Sequence, residues 1–290
     1  MKQRVLALGF FDGVHLGHQA LLGACRELAN SLSCEAAAVT FDRHPLCNIT
    51  GNAPALLNTP EDRITLLRRF GMAQVHTLEF NEALRDLHWR DFFRLLVEEL
   101  GAAGLVCGDD YRFGKGGEGT ADKLRTLCAE TGIPCVVVPE QTVEGIRVSS
   151  SHIRNLIEQG DMEQAVRFLG HPHVLSGTVV AGRQLGRTIG VPTANLQLPR
   201  DIVQPRFGVY VCDAITEGKR YRAVTNVGIR PTVGGQHVTV EPWLLDFEGD
   251  LYGKTLTLEF VAFLRPEQKF ENLEQLQHAI LQDAETARHK

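Results

Sequence analysis

One stretch decides the fold of the first half of this chain: residues 9–18 have the sequence GFFDGVHLGH. It begins where an apolar run at 5–10 ends, and a segment of helical periodicity at 18–32 follows it. In a parallel sheet, such a turn between strand and helix lies at the carboxyl end of the strand, where ligands bind. The unpaired N–H groups at the start of the helix favour phosphate. The stretch therefore predicts a phosphate-binding turn.

His15 and His18 are the candidate catalytic residues of this turn. They are three positions apart, so a first helical turn places both on one face, where two imidazoles can donate to phosphate oxygens and stabilise charge during transfer. Gly17 between them lets the backbone approach a nucleotide closely. The alternative is an exposed turn with two incidental histidines. The glycines at 9, 13 and 17 after a strand favour the phosphate site.

Apolar runs alternate with amphipathic segments through the rest of the first half. This alternation predicts an α/β fold with a parallel sheet and crossover helices. The predicted strands are 5–10, 36–41, 75–80, 104–107 and 135–138, and the predicted helices are 18–32, 60–70, 88–100, 121–130, 151–159 and 161–169.

The pattern changes after residue 170, where strands follow one another without intervening helices. Such a sequence predicts an antiparallel sheet or a closed barrel. We therefore predict two domains, at 1–170 and 171–290. The strands predicted in the second are 173–180, 208–215, 220–227, 237–247 and 255–264, with a final helix at 272–288.

Composition excludes several classes of protein. The formal net charge is −5, so no basic excess indicates a nucleic-acid or membrane partner. The seven cysteines form no CxxC pair, which argues against a disulfide framework and a zinc knuckle. No apolar run reaches the ~18 residues of a spanning helix, and no secretory signal is present at the start. We expect a cytoplasmic enzyme.

Two further polar stretches lie in the first half. Residues 108–114 have the sequence GDDYRFG and follow the fourth predicted strand, and residues 147–154 have the sequence RVSSSHIR and open a helix. Hydroxyls at a helix start are either capping groups or phosphate donors. Arg147 and Arg154 flank them and could grip a polyphosphate.

In this order, the HxGH, GDDYRFG and VSSSHIR stretches resemble the nucleotidyltransferase domain of the prokaryotic bifunctional riboflavin kinase/FAD synthetase family. That Rossmann-like domain belongs to the HIGH-type adenylyltransferases and transfers AMP from ATP to FMN. The resemblance implies that His15 and His18 contact ATP phosphates. It further implies that Gly9, Phe11, Asp12 and Gly13 form the turn under ATP, with Gly17 beside them, and that Asp110, Arg147, Ser150, Ser151 and Arg154 hold nucleotide or flavin phosphate.

This half departs from the family pattern at two positions. Phe10 replaces the usual Asn and Ser151 the usual Thr, which keeps the hydroxyl. Neither departure removes a group that the chemistry needs. The FDRHP stretch at 41–45 also matches the family, but the roles of Asp42 and His44 stay open.

The second half contains a PTAN stretch at 192–195 after the glycines at 182, 186 and 190, which suggest a mobile loop near a ligand. In an extended chain Thr193 and Asn195 point to the same side. Their oxygens suit Mg²⁺ held jointly with ATP phosphates. An ordinary turn is the alternative for this stretch taken alone.

The stretches EPWLLDF at 241–247, DLYGK at 250–254 and FLRPE at 263–267 follow PTAN in order. Together they resemble the riboflavin kinase domain of the same family, a small antiparallel β-barrel. The resemblance implies that Glu241 is the general base that accepts a proton from the ribityl 5′-hydroxyl of riboflavin. It implies that Thr193 and Asn195 bind Mg²⁺. The remaining candidates for binding ATP or flavin are Gly182, Gly186, Arg187 and Arg265.

The resemblance covers nearly the whole chain and implies two ATP-dependent transferases. Residues 1–170 would be the FMN adenylyltransferase and 171–290 the riboflavin kinase, with riboflavin, FMN, FAD and ATP as ligands and a monomer or weak homo-oligomer as the assembly. Trp243, beside Glu241 where the family often has His, is expected to pack on the barrel, and its role stays open.

Two glycine-rich stretches suggest other functions. Residues 253–255, GKT, look like the end of a P-loop, but Glu248 stands where the required glycine would be. Residues 114–119 fit GxGxxG, which would support an NAD(P)-dependent oxidoreductase, but they do not follow a strand directly. A flavin-binding relative with an activity lost is the third alternative. The presence of His15, His18 and Glu241 argues against it.

Overall fold

The computed structural model of the chain describes residues 3–47, 53–182, 186, 190–199, 201–232 and 235–290. The chain divides into two compact units. Unit 1 comprises Met1–Leu56 and Pro60–Ser150, and unit 2 comprises Leu57–Thr59 and Ser151–Lys290. The change between units at 150 precedes the domain boundary predicted at 170, which stays a prediction for the functional domains.

Unit 1 is an α/β unit built on a parallel sheet. Its strands are β1 (Arg4–Leu8), β2 (Glu35–Phe41), β3 (Gln74–Leu78), β4 (Ala102–Gly108), β5 (Arg112–Phe113), β6 (Gly119–Thr120), β7 (Cys135–Val138), β8 (Thr142–Val143) and β9 (Ile146–Arg147). Its helices are α1 (Leu16–Ser31), α2 (Pro60–Arg69), α3 (Glu82–Arg85), α4 (Trp89–Arg94), which continues as a π-helical turn over Leu95–Glu99, and α5 (Ala121–Thr131).

Among the described residues the main sheet has the strand order β3-β2-β1-β4-β7, with every neighbouring pair parallel. The central strands are buried on both faces, as their unbroken apolar runs predicted: Leu6 and Leu105 are fully buried. Because β1 and β2 are parallel, their carboxyl ends lie at the same edge of the sheet. The turn 9–15 follows β1 at this edge.

Local signals set the helix boundaries of unit 1. Pro60 opens α2, with Glu61 and Asp62 in the first turn and Arg68 and Arg69 in the last, as the helix dipole favours. The Thr120 hydroxyl accepts the Lys123 N–H at the start of α5. These helices confirm the predicted segments at 60–70 and 121–130.

Unit 2 is a closed antiparallel barrel with flanking helices. Its strands are β10 (His173–Val180), β11 (Asn195–Gln197), β12 (Gly208–Thr216), β13 (Lys219–Thr232), β14 (Gly235–Leu244) and β15 (Thr255–Arg265). Its helices are α6 (Ser150–Gln159), whose first residue belongs to unit 1, α7 (Met162–Leu169) and α8 (Leu273–His289).

The barrel order is β10-β11-β14-β13-β12-β15 in the described part of the chain. This confirms the predicted antiparallel barrel and the C-terminal helix. Strand β11 was not predicted, because three residues carry no periodic signal. Pairing with the two neighbouring strands defines β11, since Leu196 pairs with Val179 of β10 and with Val240 of β14. None of the described helices combines the length and apolar character that a bilayer crossing requires.

Candidate active sites

The turn after β1 is held in a strained conformation. Phe11 adopts the left-handed backbone region with φ 61°, which costs a non-glycine residue about 1–2 kcal/mol. Its ring is fully buried, and burying a phenylalanine contributes about 1.5–3 kcal/mol. Burial therefore outweighs the strain. Gly13 has φ 81°, a conformation that favours glycine.

The two histidines of this turn stack on each other. Their ring centroids are 3.6 Å apart and the planes differ by 11°. The N–H of His18 donates to Nδ1 of His15 at 3.3 Å, so His15 is the N-cap of α1. Because Nδ1 accepts this bond, the proton of a neutral His15 lies on Nε2 and can be donated to a ligand oxygen.

His18 is held neutral by its surroundings. Burial, then the positive charges of His15 and Arg63, place its pKa well below the usual value. The ring of Phe11 packs edge-on against it at 5.3 Å. The predicted pair is therefore brought together on one face, with His18 as a neutral imidazole.

Gly17 lies close against the ring of His15. A Cβ at this position would lie 3.3 Å from Cε1 and Nδ1 of the His15 ring. The sequence predicted a close approach of the backbone to nucleotide. The structure adds a neighbour within the protein, because the His15 ring occupies the space that a side chain would need.

Asp110 and Arg147 are also brought together. Nη2 of Arg147 donates to Oδ2 of Asp110 at 2.7 Å, and its Nε pairs with Glu140 at 2.9 Å. All three side chains are largely solvent-exposed, so the ion pairs are weak and can rearrange around a ligand.

Ser150 contacts the turn directly. Its hydroxyl donates to the carbonyl oxygen of Asp12 at 2.9 Å, which ties the start of α6 to the residue after Phe11. Ser151 and Arg154 follow on α6 and belong to unit 2. Arg154 is buried and Ser151 is exposed. Their predicted place beside the histidines stays a prediction.

A cavity of about 650 Å³ in unit 1 was not predicted from the sequence. Phenylalanines and basic residues are prominent among the residues that line this cavity. This combination suits a flat aromatic ligand that carries phosphate. No local signal marks it, because the phenylalanines come from four distant segments. Its lining includes Phe41, Phe80, Phe92, Phe113, Arg85, Arg112 and Lys115.

The glycines at 114–119 follow β5, which pairs only with β6 among the described strands and lies outside the main sheet. This supports the sequence-based objection to a dinucleotide fingerprint, which needs glycines on a strand of the parallel sheet. The GKT stretch likewise leads into strand β15, and no phosphate-binding helix follows it.

In unit 2, a cavity of about 630 Å³ brings most of the predicted kinase residues together. Asn226 of β13 faces Glu241 of β14 directly in register. The N–H of Ala194 donates to the carbonyl of Pro242 at 2.9 Å, which fixes the PTAN segment beside Glu241. The cavity lining includes Gly186, Thr193, Asn195, Asn226, Glu241, Trp243, Arg265, Glu267, Phe270 and Asp283.

Gly182, Arg265 and Arg187 were also predicted for this site. Gly182 lies against Asn195, and a Cβ there would overlap the Asn195 side-chain amide. Arg265 lines the cavity, but Asp283 of α8 accepts from its Nε at 3.0 Å and its Nη2 at 2.7 Å. Arg187 lies outside the described residues. Trp243 packs against the core around Val209 and Val224, as expected, and also lines the cavity.

The donors at this cavity fit Mg²⁺. The side chains of Thr193 and Asn195 offer a hydroxyl and an amide oxygen, the hard ligands that Mg²⁺ prefers. Over the described ranges, no group of three or more His, Cys, Asp or Glu side chains could hold a metal ion. A Mg²⁺ ion here would therefore take further oxygens from water and from nucleotide phosphates.

Comparisons with known proteins match the two parts of the chain to two different family models. The FAD synthetase family model matches residues 1–152 and the riboflavin kinase model matches residues 169–290. The chain is 40% identical over 287 residues to the bifunctional riboflavin kinase/FMN adenylyltransferase of Pseudomonas fluorescens, covering 98% of this chain and 92% of the relative. The equally named protein of Escherichia coli (strain K12) is 37% identical, covering 98% and 91%.

Among solved structures, a crystal structure described as a macrolide-efflux protein from Streptococcus pneumoniae is similar over the entire chain. The TM-score is 0.88 at 32% identity, and the match covers 100% of this chain and 95% of the other.

Proposed function

Because this chain belongs to the family of bifunctional riboflavin kinase/FMN adenylyltransferases, we propose which residues carry out its two reactions. The chain phosphorylates riboflavin with ATP, giving FMN, and transfers AMP from ATP to FMN, giving FAD and pyrophosphate. The riboflavin kinase match covers the barrel, and the FAD synthetase match covers the parallel-sheet unit. The oxidoreductase and single-activity alternatives are not favoured.

The stacked histidines carry the proposal for adenylyl transfer. An oxygen of the FMN phosphate attacks the α-phosphorus of ATP, and the bond from that phosphorus to the bridging oxygen breaks as pyrophosphate leaves. His15 donates from Nε2 to a phosphate oxygen, and His18 supports the His15 ring by stacking and by its N–H bond. Such donors stabilise the charge that develops on the phosphate oxygens.

Other polar residues would hold the substrates of this step. The turn 9–13 would lie under ATP, Ser150 would hold that turn through Asp12, and Arg147 would exchange its exposed partners for phosphate. Ser151 and Arg154 would complete the phosphate contacts.

We place the flavin ring of FMN in the 650 Å³ cavity of unit 1. Phe41 and Phe80 meet edge to face with centroids 5.2 Å apart, and they offer an apolar wall to an aromatic ring. Arg112 and Lys115 line the same cavity and suit the phosphate of FMN.

In the barrel, the shared wall of Glu241, Thr193 and Asn195 carries the proposal for the kinase. The hydroxyl oxygen of the ribityl 5′-carbon attacks the γ-phosphorus of ATP, and Glu241 accepts the proton of that hydroxyl. The bond from the γ-phosphorus to ADP breaks, and ADP leaves. Thr193 and Asn195 would hold Mg²⁺, which offsets the negative charge of the transferring phosphates when bound. Asn226, opposite Glu241, can orient the hydroxyl or the carboxylate. Gly182 leaves room for Asn195.

The proposal also includes the location and the oligomeric state of the enzyme. We propose that the enzyme acts in the cytoplasm, where the thiols of its seven cysteines stay reduced. We also propose that it acts as a monomer or a weak homo-oligomer, since each unit has its own cavity.

Separable variants test the assignment. Purified protein is incubated with riboflavin or FMN, ATP and Mg²⁺, and the flavins are separated by chromatography. Glu241→Gln should abolish FMN formation and leave FAD formation from supplied FMN intact, because it removes the proton acceptor in one unit only. His15→Ala with His18→Ala should do the reverse. If either change stopped both reactions in folded protein, the two-site assignment would be wrong.

A further inference from the structure

Arg63 of α2 is a buried cation that the functions above do not use. Only 1% of its surface is exposed. Its Nη2 donates to the carbonyl of Phe41 at 2.5 Å, and its guanidinium lies over the Phe10 ring at 4.3 Å from the centroid. Within the part of the chain that is described, its Nε and Nη1 have no hydrogen-bond partner.

The charge of Arg63 acts on the turn that carries the histidines. Burial lowers the pKa of Arg63 to about 10, while the carboxylates of Asp12, Asp42 and Glu61 favour its charged form. Arg63 and His15 are the charges found to act on His18. The guanidinium therefore interacts with the turn after β1, the end of β2 and the start of α1.

Arg63 is linked to the aromatic cavity of unit 1 through a residue of the cavity wall. Phe41, whose carbonyl it binds, lines that cavity. Asp42 accepts the N–H of Phe80, another lining residue, at 2.8 Å. One side chain thus connects the histidine turn with the wall where we place the flavin.

A stabilising role alone does not explain this arrangement. Burial removes the water around a guanidinium, which costs free energy, and each N–H donor left without a partner adds to that cost. Replacing a whole buried ion pair by apolar residues of similar volume is often neutral for stability, whereas removing one partner is destabilising. Because the carboxylates of Asp12 and Asp42 act on Arg63, its removal should cost stability, and activity has to be measured beside stability.

We propose that Arg63 is a positioning residue for adenylyl transfer: it holds the turn 9–15 against the end of β2. The inference rests on the adenylyl transfer proposed for unit 1. Through Phe41 and Asp42, the same side chain sets the wall of the FMN cavity.

Arg63→Met tests this inference, with Arg63→Lys as the conservative variant and Arg68→Met as the matched control. Arg68 is an exposed arginine on the same helix. The measurements are the kcat and KM for FMN in FAD formation, the His18 pKa by NMR titration without substrates, the melting temperature, and riboflavin phosphorylation as the internal control of folding.

We expect Arg63→Met to lower kcat/KM for FMN by about tenfold to a hundredfold, the usual consequence of misplacing reacting groups by up to 1 Å. Part of the loss should appear as a higher KM. The pKa of His18 should rise, because one of the two positive charges that lower it is gone, and it should stay below its ordinary value because burial, the larger cause, remains. Arg63→Lys should restore the His18 pKa and part of the rate, and Arg68→Met should match the wild type.

The inference is overturned if folded Arg63→Met keeps both the wild-type kcat/KM and the wild-type His18 pKa. It is also overturned if the rate falls only in step with the melting temperature while the His18 pKa stays unchanged. Arg63→Gln, which keeps polarity without charge, replaces the methionine variant if that one fails to fold. If the wild type itself made no FAD, the proposed function would fail, whereas the NMR titration would still test the effect of Arg63 on His18.

Discussion

Gly17→Ala should make the protein more stable and less active at once. Gly17 lies in the first turn of α1 without a positive φ, so alanine fits the backbone. Replacing a helical glycine with alanine contributes about 0.4–1 kcal/mol, mainly by restricting the unfolded chain. For a unit of this size that raises the melting temperature by about 1–4 °C.

The loss of activity follows from the distance to His15. The new Cβ would lie 3.3 Å from the His15 ring, and carbon atoms prefer about 3.5–4.0 Å. The ring must therefore move by about 0.2–0.7 Å. Since a 1 Å misplacement can cost about a hundredfold, we expect FAD formation to slow by about three- to twentyfold.

Gly23→Ala on the same helix is the matched control, because nothing lies within 4 Å of its Cβ. It should stabilise to a similar extent and leave the rate of FAD formation unchanged. FAD formation from supplied FMN is measured by chromatography, and stability by calorimetry. The reasoning is refuted if Gly17→Ala keeps the wild-type rate, or if Gly23→Ala slows the reaction equally.

Two further predictions concern the barrel. Gly182→Ala should lower kcat/KM for riboflavin phosphorylation at least about tenfold, because the new Cβ would displace the Asn195 amide. A normal rate of FMN formation would contradict this prediction. FAD formation from supplied FMN serves as the control. His173 is buried, and burial followed by the charge of His171 lowers its pKa to about 3. Protons therefore bind it more readily in the unfolded chain, so the barrel should lose about 1.4 kcal/mol of stability per pH unit from this residue as pH falls from about 6.5 towards 3. His173→Leu should remove that slope in denaturant titrations at several pH values, and an unchanged slope would show that His173 is protonated in the native barrel.

Coupling two reactions in one chain makes such variants easy to interpret. Each unit has its own cavity and its own set of polar groups. A variant that misfolds as a whole loses both reactions, whereas a variant that disturbs one site loses one. The Arg265–Asp283 pair illustrates the distinction, because it anchors α8 to β15 at the cavity wall and links stability with activity.

The sequence by itself determined the order of the two folds and indicated the groups that we propose for the chemistry. Apolar runs separated by helical periods predicted the parallel sheet, and the turn at 9–18 predicts a phosphate site at the end of its first strand, because both signals are local. The roles expected of Glu241 and of the PTAN stretch came from the resemblance of several ordered motifs to one family, and they stay predictions.

Only the tertiary structure decided what depends on residues far apart in sequence. Strand β11 is held by partners about 17 and 44 positions away. The cavity wall takes phenylalanines from positions 41, 80, 92 and 113, and packing places Arg63 of α2 beside Phe10, Phe41 and the histidine turn. Neither periodicity nor spacing encodes such contacts, because burial and pairing arise only when the strands and helices assemble.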